Sequence, residues 1–176
     1  LLNQISDFLS NTPSGYCLEE NSVTDVKKAT HEWTLWVVAA SCALHPTEEY
    51  FTGWQIWAVK ALGIAMPTSR FVTMNLVLVV MACVLARVGW KLPTLSLIIP
   101  AATLVNAIFF HILPTVVQKR ISPGVYTASI LYVPFSIWAI FGAWHDGVPK
   151  RSIGLAVLLG TLMMVTVVLL ARSLSG

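Results

Sequence analysis

Residues 153–171 read IGLAVLLGTLMMVTVVLLA. These nineteen consecutive positions carry no charge, and a helix needs about 20 mostly apolar residues to cross the hydrocarbon of a bilayer. The pattern recurs upstream in FVTMNLVLVVMACVLARVGW (71–90), TLSLIIPAATLVNAIFFHILPTVV (94–117) and VYTASILYVPFSIWAIFGAW (125–144). Pro100 and Pro134 fall inside two of these runs and predict kinks. Across all 176 residues, 56% are hydrophobic and only 11% charged, with a mean hydropathy of +0.75. Soluble domains carry roughly 25% charged residues, so the composition excludes an ordinary soluble globule and predicts a polytopic membrane protein.

The first apolar run is the exception that carries the chemistry. WTLWVVAASCAL (33–44) is too short for a span unless it takes in HPTEEYF (45–51). One helix over 33–51 would put His45, Glu48 and Glu49 within or at the edge of the hydrocarbon. With this segment the count is about five transmembrane helices, an all-α integral membrane bundle. Residues 33–176 form one transmembrane domain. Residues 1–32 form a polar N-terminal segment, with amphipathic spacing over LLNQISDFL (1–9) and a second short helix expected near SVTDVKKATHEW (22–33). TGWQIWAVKALGIAMPTSR (52–70), with Trp54 and Trp57, suits a short interfacial or re-entrant helix.

The net charge is +3, and the basic residues come in scattered pairs such as Lys27–Lys28, Lys119–Arg120 and Lys150–Arg151. They form no stripe with interleaved aromatics, so a nucleic-acid partner is not indicated. They divide almost evenly between the two sides of a five-span topology, which leaves orientation open. Three cysteines, Cys17, Cys42 and Cys83, show neither a disulfide framework nor zinc spacing.

Polar residues inside apolar runs mark the candidate site. They are His45, Glu48, Glu49, Asn75, Asn106 and His111. On a helix, His45 shares a broad face with Glu48 and Glu49. Pro46 is tolerated there if a new helix starts at that point. Asn106 and His111, five apart, diverge by roughly 140° on an α-helix, unless a proline kink or π-bulge closes the gap. Adjacent carboxylates in a low-dielectric pocket resist ionising together, so one can act as a general acid with the other group and a histidine beside it. Alternatively, His45, His111 and a glutamate bind a metal that activates water. The plain alternative is that Glu48 and Glu49 sit at the interface and face outward. Asn75 alone suits an interhelical hydrogen bond, His145 and Asp146 suit a surface loop, and Met163 and Met164 suit lipid-facing or packing positions.

His45-Pro46-Thr47-Glu48-Glu49 resembles the signature of the HXXEE-motif family of small membrane proteins. Asn106 with His111, and the Arg120-Ile121-Ser122-Pro123-Gly124 turn, continue the resemblance in the same order, over roughly residues 33–145. It implies a shared polar motif but no activity. In size, span number and acid placement the chain also resembles small fungal membrane enzymes acting on epoxidised terpenoids and polyenes. These are terpene cyclases of the ascochlorin and ascofuranone type and related epoxide hydrolases. That likeness implies acid-initiated epoxide opening, with cyclisation or hydrolysis, of a lipophilic terpenoid or polyketide-derived substrate. His45, Glu48, Glu49 and His111 would be catalytic, and Asn106, Asn75, Tyr50, Trp54 and Tyr132 would line the substrate. No organic cofactor motif is visible, and an acid catalyst needs neither cofactor nor metal; the expected partners are the lipophilic substrate and membrane lipid, in the endoplasmic reticulum if the host is eukaryotic. The alternatives are a sterol-isomerase-like proton-transfer enzyme, a metal-dependent membrane hydrolase, and a small proton- or cation-coupled carrier.

Overall fold

The computed structural model describes residues 29–174, all of whose regular structure is helical. The amphipathic segment expected over 1–9 lies outside the described residues, as does most of 22–33, of which residues 29–32 are coil and turn. Six helices follow in order: α1 (Trp33–Phe51), α2 (Trp54–Leu62), α3 (Thr68–Val88), α4 (Pro93–Gln118), α5 (Val125–His145) and α6 (Lys150–Ser173). The last four are long and apolar enough to cross a membrane. With 19 residues α1 is about 28 Å long, also a membrane-crossing length, but its polar cluster makes it less apolar. The protein is an integral membrane helical bundle.

The expectation of a new helix at Pro46 is not met, because α1 runs unbroken through it. Pro46 withholds a donor from the carbonyl four residues back, at Cys42, and the helix continues past it. The buried stripe of α1 contains Thr34, Leu35, Val38, Ser41, Cys42, His45 and Glu49, spaced three and four apart. It packs against α3 and α5, so its most polar face points into the bundle and its apolar face outward. Exposed Leu, Val, Ile and Phe side chains cover the outer faces of α3 to α6, as expected where lipid is the solvent.

Small residues set the close approaches. Ala156 and Gly160, four apart on α6, are buried against α4. A Cβ at position 160 would lie 2.7 Å from both the Ala101 Cβ and the Ile98 carbonyl. This is the small-xxx-small logic of membrane helix packing.

Both α4 and α5 contain a π-helical stretch, Ala107–Ile112 and Ala128–Tyr132. Each precedes a proline, Pro114 and Pro134. A proline ring clashes with the carbonyl four residues back, which belongs to Phe110 in one helix and Ile130 in the other. Both residues lie inside the π stretch, where the wider turn relieves the clash. The prolines therefore widen a turn upstream, and the upstream turns carry His111 and Tyr132.

Candidate functional site

α1 delivers His45 and Glu49, one turn apart, to the interior near its C-terminal end. α4 delivers His111 from its π stretch. The Nε2 atoms of His45 and His111 lie 3.1 Å apart, and the Glu49 Oε1 lies 3.5 Å from each. All three residues are buried. The wide π turn brings Asn106 and His111 back to one side, with the Asn106 amide 3.3 Å from the His111 Nε2 and 3.4 Å from the His45 Nε2. The divergence expected on an α-helix is thereby closed by a bulge.

The hydrogen bonds behind the two rings fix their tautomers. The His111 Nδ1 is 2.7 Å from the Pro123 carbonyl, which can only accept, so the ring proton is at Nδ1. The His45 Nδ1 is 2.9 Å from the Thr127 hydroxyl. That hydroxyl donates its single proton to the Glu48 Oε2 at 2.5 Å, so it accepts from His45. Both Nε2 atoms therefore present lone pairs, and both face the other ring and the Glu49 carboxylate.

Glu48, read from the sequence as a possible proton donor, has a different position. Its carboxylate accepts the backbone N–H groups of Tyr126 (3.2 Å) and Thr127 (2.7 Å) at the start of α5. An anion there complements the helix dipole and satisfies orphan donors. Glu48 thus acts on His45 only through Thr127.

The Ser122-Pro123-Gly124 turn supports the site from outside. The Ser122 hydroxyl donates to the His111 carbonyl at 2.9 Å, and the Thr115 hydroxyl accepts the Ser122 N–H at 3.0 Å. Gly124 has φ +86° and lies against all three site residues. A Cβ there would come within 2.8 Å of His45 Cε1 and 2.9 Å of both Glu49 Cγ and His111 Cε1. The sequence drew attention to the turn but not to Thr127 or to the Pro123 carbonyl, which act across helices.

An apolar cavity of about 380 Å³ opens beside the cluster. It lies between α3 and α6, and Trp54 of α2 joins its lining. Glu49 and His45 form part of its wall, with Asn106, Asn75, Thr103 and Tyr132 as other polar contributors. The Tyr132 ring packs 4.4 Å from that of His45. The Asn75 amide also donates to the Phe71 carbonyl of its own helix at 2.9 Å. Tyr50, by contrast, is half exposed, packs against Phe51 and borders a shallower groove on the other side of α1. All five methionines of the chain line the main cavity, Met163 and Met164 included. Their clustering appears only when α3 and α6 are set face to face.

A second polar cluster stands near the other end of α1. Asp146 accepts from the Thr30 hydroxyl (2.8 Å), the His31 N–H (2.8 Å), the His31 Nδ1 (2.6 Å) and the Trp90 indole (2.9 Å). Partial burial pushes its carboxyl up, but the hydrogen bonds from His31, Trp90 and Thr30 outweigh that and hold it well below the usual carboxylate range. The Glu32 Oε1 accepts the Trp90 N–H at 2.6 Å. The cluster staples the start of α1 to the end of α5 and the α3–α4 turn. It is more than the surface loop expected for His145 and Asp146.

Residues 36–139, more than half of the chain, match the family described as protein of unknown function with HXXEE motif. The chain belongs to this family. The matched region includes His45, Glu48, Glu49, Asn106, His111 and the whole Ser-Pro-Gly turn. No curated protein and no solved structure matches. Neither comparison supports the likeness to small fungal cyclases expected from the sequence.

Proposed function

We propose that this HXXEE-family protein is an intramembrane enzyme acting on a lipophilic substrate, with His45, Glu49 and His111 as its reactive centre. One observation carries the reading: among the described residues Glu49 is the only carboxylate in the wall of the apolar cavity, and two imidazole lone pairs converge on it. Three buried acceptors so arranged hold a cation, and that cation faces the cavity as an electrophile. A cavity within the size range of small-molecule sites and lined by adaptable methionines suits a flexible hydrocarbon chain with one oxygen at its reactive end.

Acid-initiated opening of an epoxide on a terpenoid or polyketide chain fits this arrangement. The epoxide oxygen would take up the electrophile, a C–O bond would break, and the carbon would be captured by an internal olefin, a hydroxyl or water. The proton released at capture would replace the electrophile on that oxygen, so that the hydroxyl product leaves and the centre keeps its cation. Asn106, at the boundary of cluster and cavity, would orient the oxygen. Residence in the endoplasmic reticulum of a eukaryotic host belongs to the same proposal.

The test is turnover of a panel of epoxidised prenyl and polyene substrates in membranes carrying the wild type or Glu49→Gln. A cyclic or diol product made by the wild type and lost in the variant is the expected result. Absence of product from the wild type across the panel, or equal product from both proteins, would overturn this reaction assignment.

A further inference from the structure

We infer that the cation held by His45, Glu49 and His111 is a divalent transition-metal ion, with zinc the best match. The inference rests on the reading of these residues as the reactive centre and names the electrophile held there. It departs from the cofactor-free centre expected from the sequence.

Distances separate a metal from a proton. A proton shared between an imidazole and a carboxylate draws the heavy atoms to about 2.7–2.9 Å, yet both histidine–Glu49 separations are 3.5 Å. A proton also bridges only two of three atoms. A tetrahedral zinc with bonds of about 2.0–2.1 Å sets its ligand atoms about 3.3 Å apart. The observed edges are 3.1, 3.5 and 3.5 Å, one just below that value and two just above it.

The surroundings point the same way. Metal-bound histidines characteristically donate the other ring N–H to a carbonyl or carboxylate, which fixes the tautomer. The His111 Nδ1 donates to the Pro123 carbonyl, and the His45 Nδ1 reaches the Glu48 carboxylate through one hydroxyl. Gly124 gives all three candidate ligands room to converge. Two imidazoles and one carboxylate suit zinc, and three protein ligands with an open fourth position are the catalytic pattern. Glu49 and His45 both border the cavity, so the fourth position would face the substrate.

The experiment uses the full chain purified in detergent, stripped with chelator and then reconstituted with zinc or cobalt(II). Metal content is measured by mass spectrometry, and cobalt geometry by visible absorption. The wild type should hold one equivalent of zinc and give tetrahedral cobalt bands. His111→Ala and Glu49→Gln should lose at least tenfold in affinity while keeping wild-type helicity and elution volume. Glu32→Gln, at the other end of α1 and outside the site, should keep its metal. If either ligand variant does not fold, Thr127→Val serves instead, with an expected loss of about 10–100-fold. Substoichiometric zinc in the reconstituted wild type, or equal zinc in folded ligand variants, would overturn the inference. The epoxide reaction is judged separately by turnover: stoichiometric metal without product removes that reaction and leaves the metal centre, whereas turnover by fully stripped protein removes the metal centre and leaves the reaction.

Discussion

The Nε2 atoms of His45 and His111 meet at 3.1 Å as two lone pairs, because each ring has its proton drawn to the far side by an acceptor on the α4–α5 turn or the first turn of α5. Thr127 is the element of this arrangement that can be removed with least change in shape. Thr127→Val takes away the acceptor for His45 and uncouples it from Glu48. Turnover on a substrate processed by the wild type should fall about 10–100-fold, as for loss of an orienting partner, and Thr127→Ser should recover most of it. Equal rates for Thr and Val would mean that the tautomer of His45 is set elsewhere.

The two adjacent glutamates should separate cleanly. Glu48→Gln keeps an acceptor for the α5 backbone but loses the charge at a helix N-terminus, worth about 0.3–1 kcal/mol. A small fall in thermal midpoint with turnover retained within several-fold is expected. Glu49→Gln should do the reverse, with stability kept and product lost. Thermal melts in detergent beside product assays decide this, and a Glu48 variant as inactive as the Glu49 variant would contradict the division of roles.

Gly124 and Gly53 form a matched pair. Both have positive φ, +86° and +82°, but only Gly124 has neighbours in the space a Cβ would fill. Gly53→Ala should cost about 1 kcal/mol from backbone strain alone and leave the site intact. Gly124→Ala carries the same strain and also pushes His45, Glu49 and His111 apart, so activity and metal content should collapse together. Comparable activity in the two variants would show that the close packing at Gly124 is not required.

Met74, on the α3 side of the cavity, tests where the hydrocarbon chain lies. Met74→Trp should raise KM for the longest substrate about tenfold, equivalent to about 1.4 kcal/mol of binding, while short substrates and metal content stay near wild type. Unchanged selectivity along a chain-length series would place the chain elsewhere.

The Asp146 staple should be sensitive to acid. Its carboxyl titrates lower in the folded protein than its ordinary value of 3.8. Its stabilisation is therefore complete above that value and disappears as the pH falls toward the depressed one. Asp146→Asn should be less stable than wild type at neutral pH. The gap should narrow below about pH 3.8, read as unfolding midpoints across a pH series. A constant gap at every pH would assign the effect to packing rather than charge.

Sequence alone determined the class of fold, because lipid accepts only segments with internally satisfied backbones and apolar surfaces, and both requirements are written locally along residues 71–171. It also singled out His45, Glu49, Asn106 and His111, since polar groups within such runs need a reason to be there. It could not separate Glu48 from Glu49, because neighbours on a helix differ only in direction and direction has meaning only once α5 is in place. It could not bring Asn106 to His111 with certainty, because α spacing parts them and a π turn ahead of Pro114 reunites them. The tautomers of the two histidines, the converging lone pairs and the methionine-lined cavity depend on groups from α1, α3, α4, α5 and α6 meeting across the bundle. Contacts of that kind leave no periodicity in the chain, so only the tertiary structure could decide them.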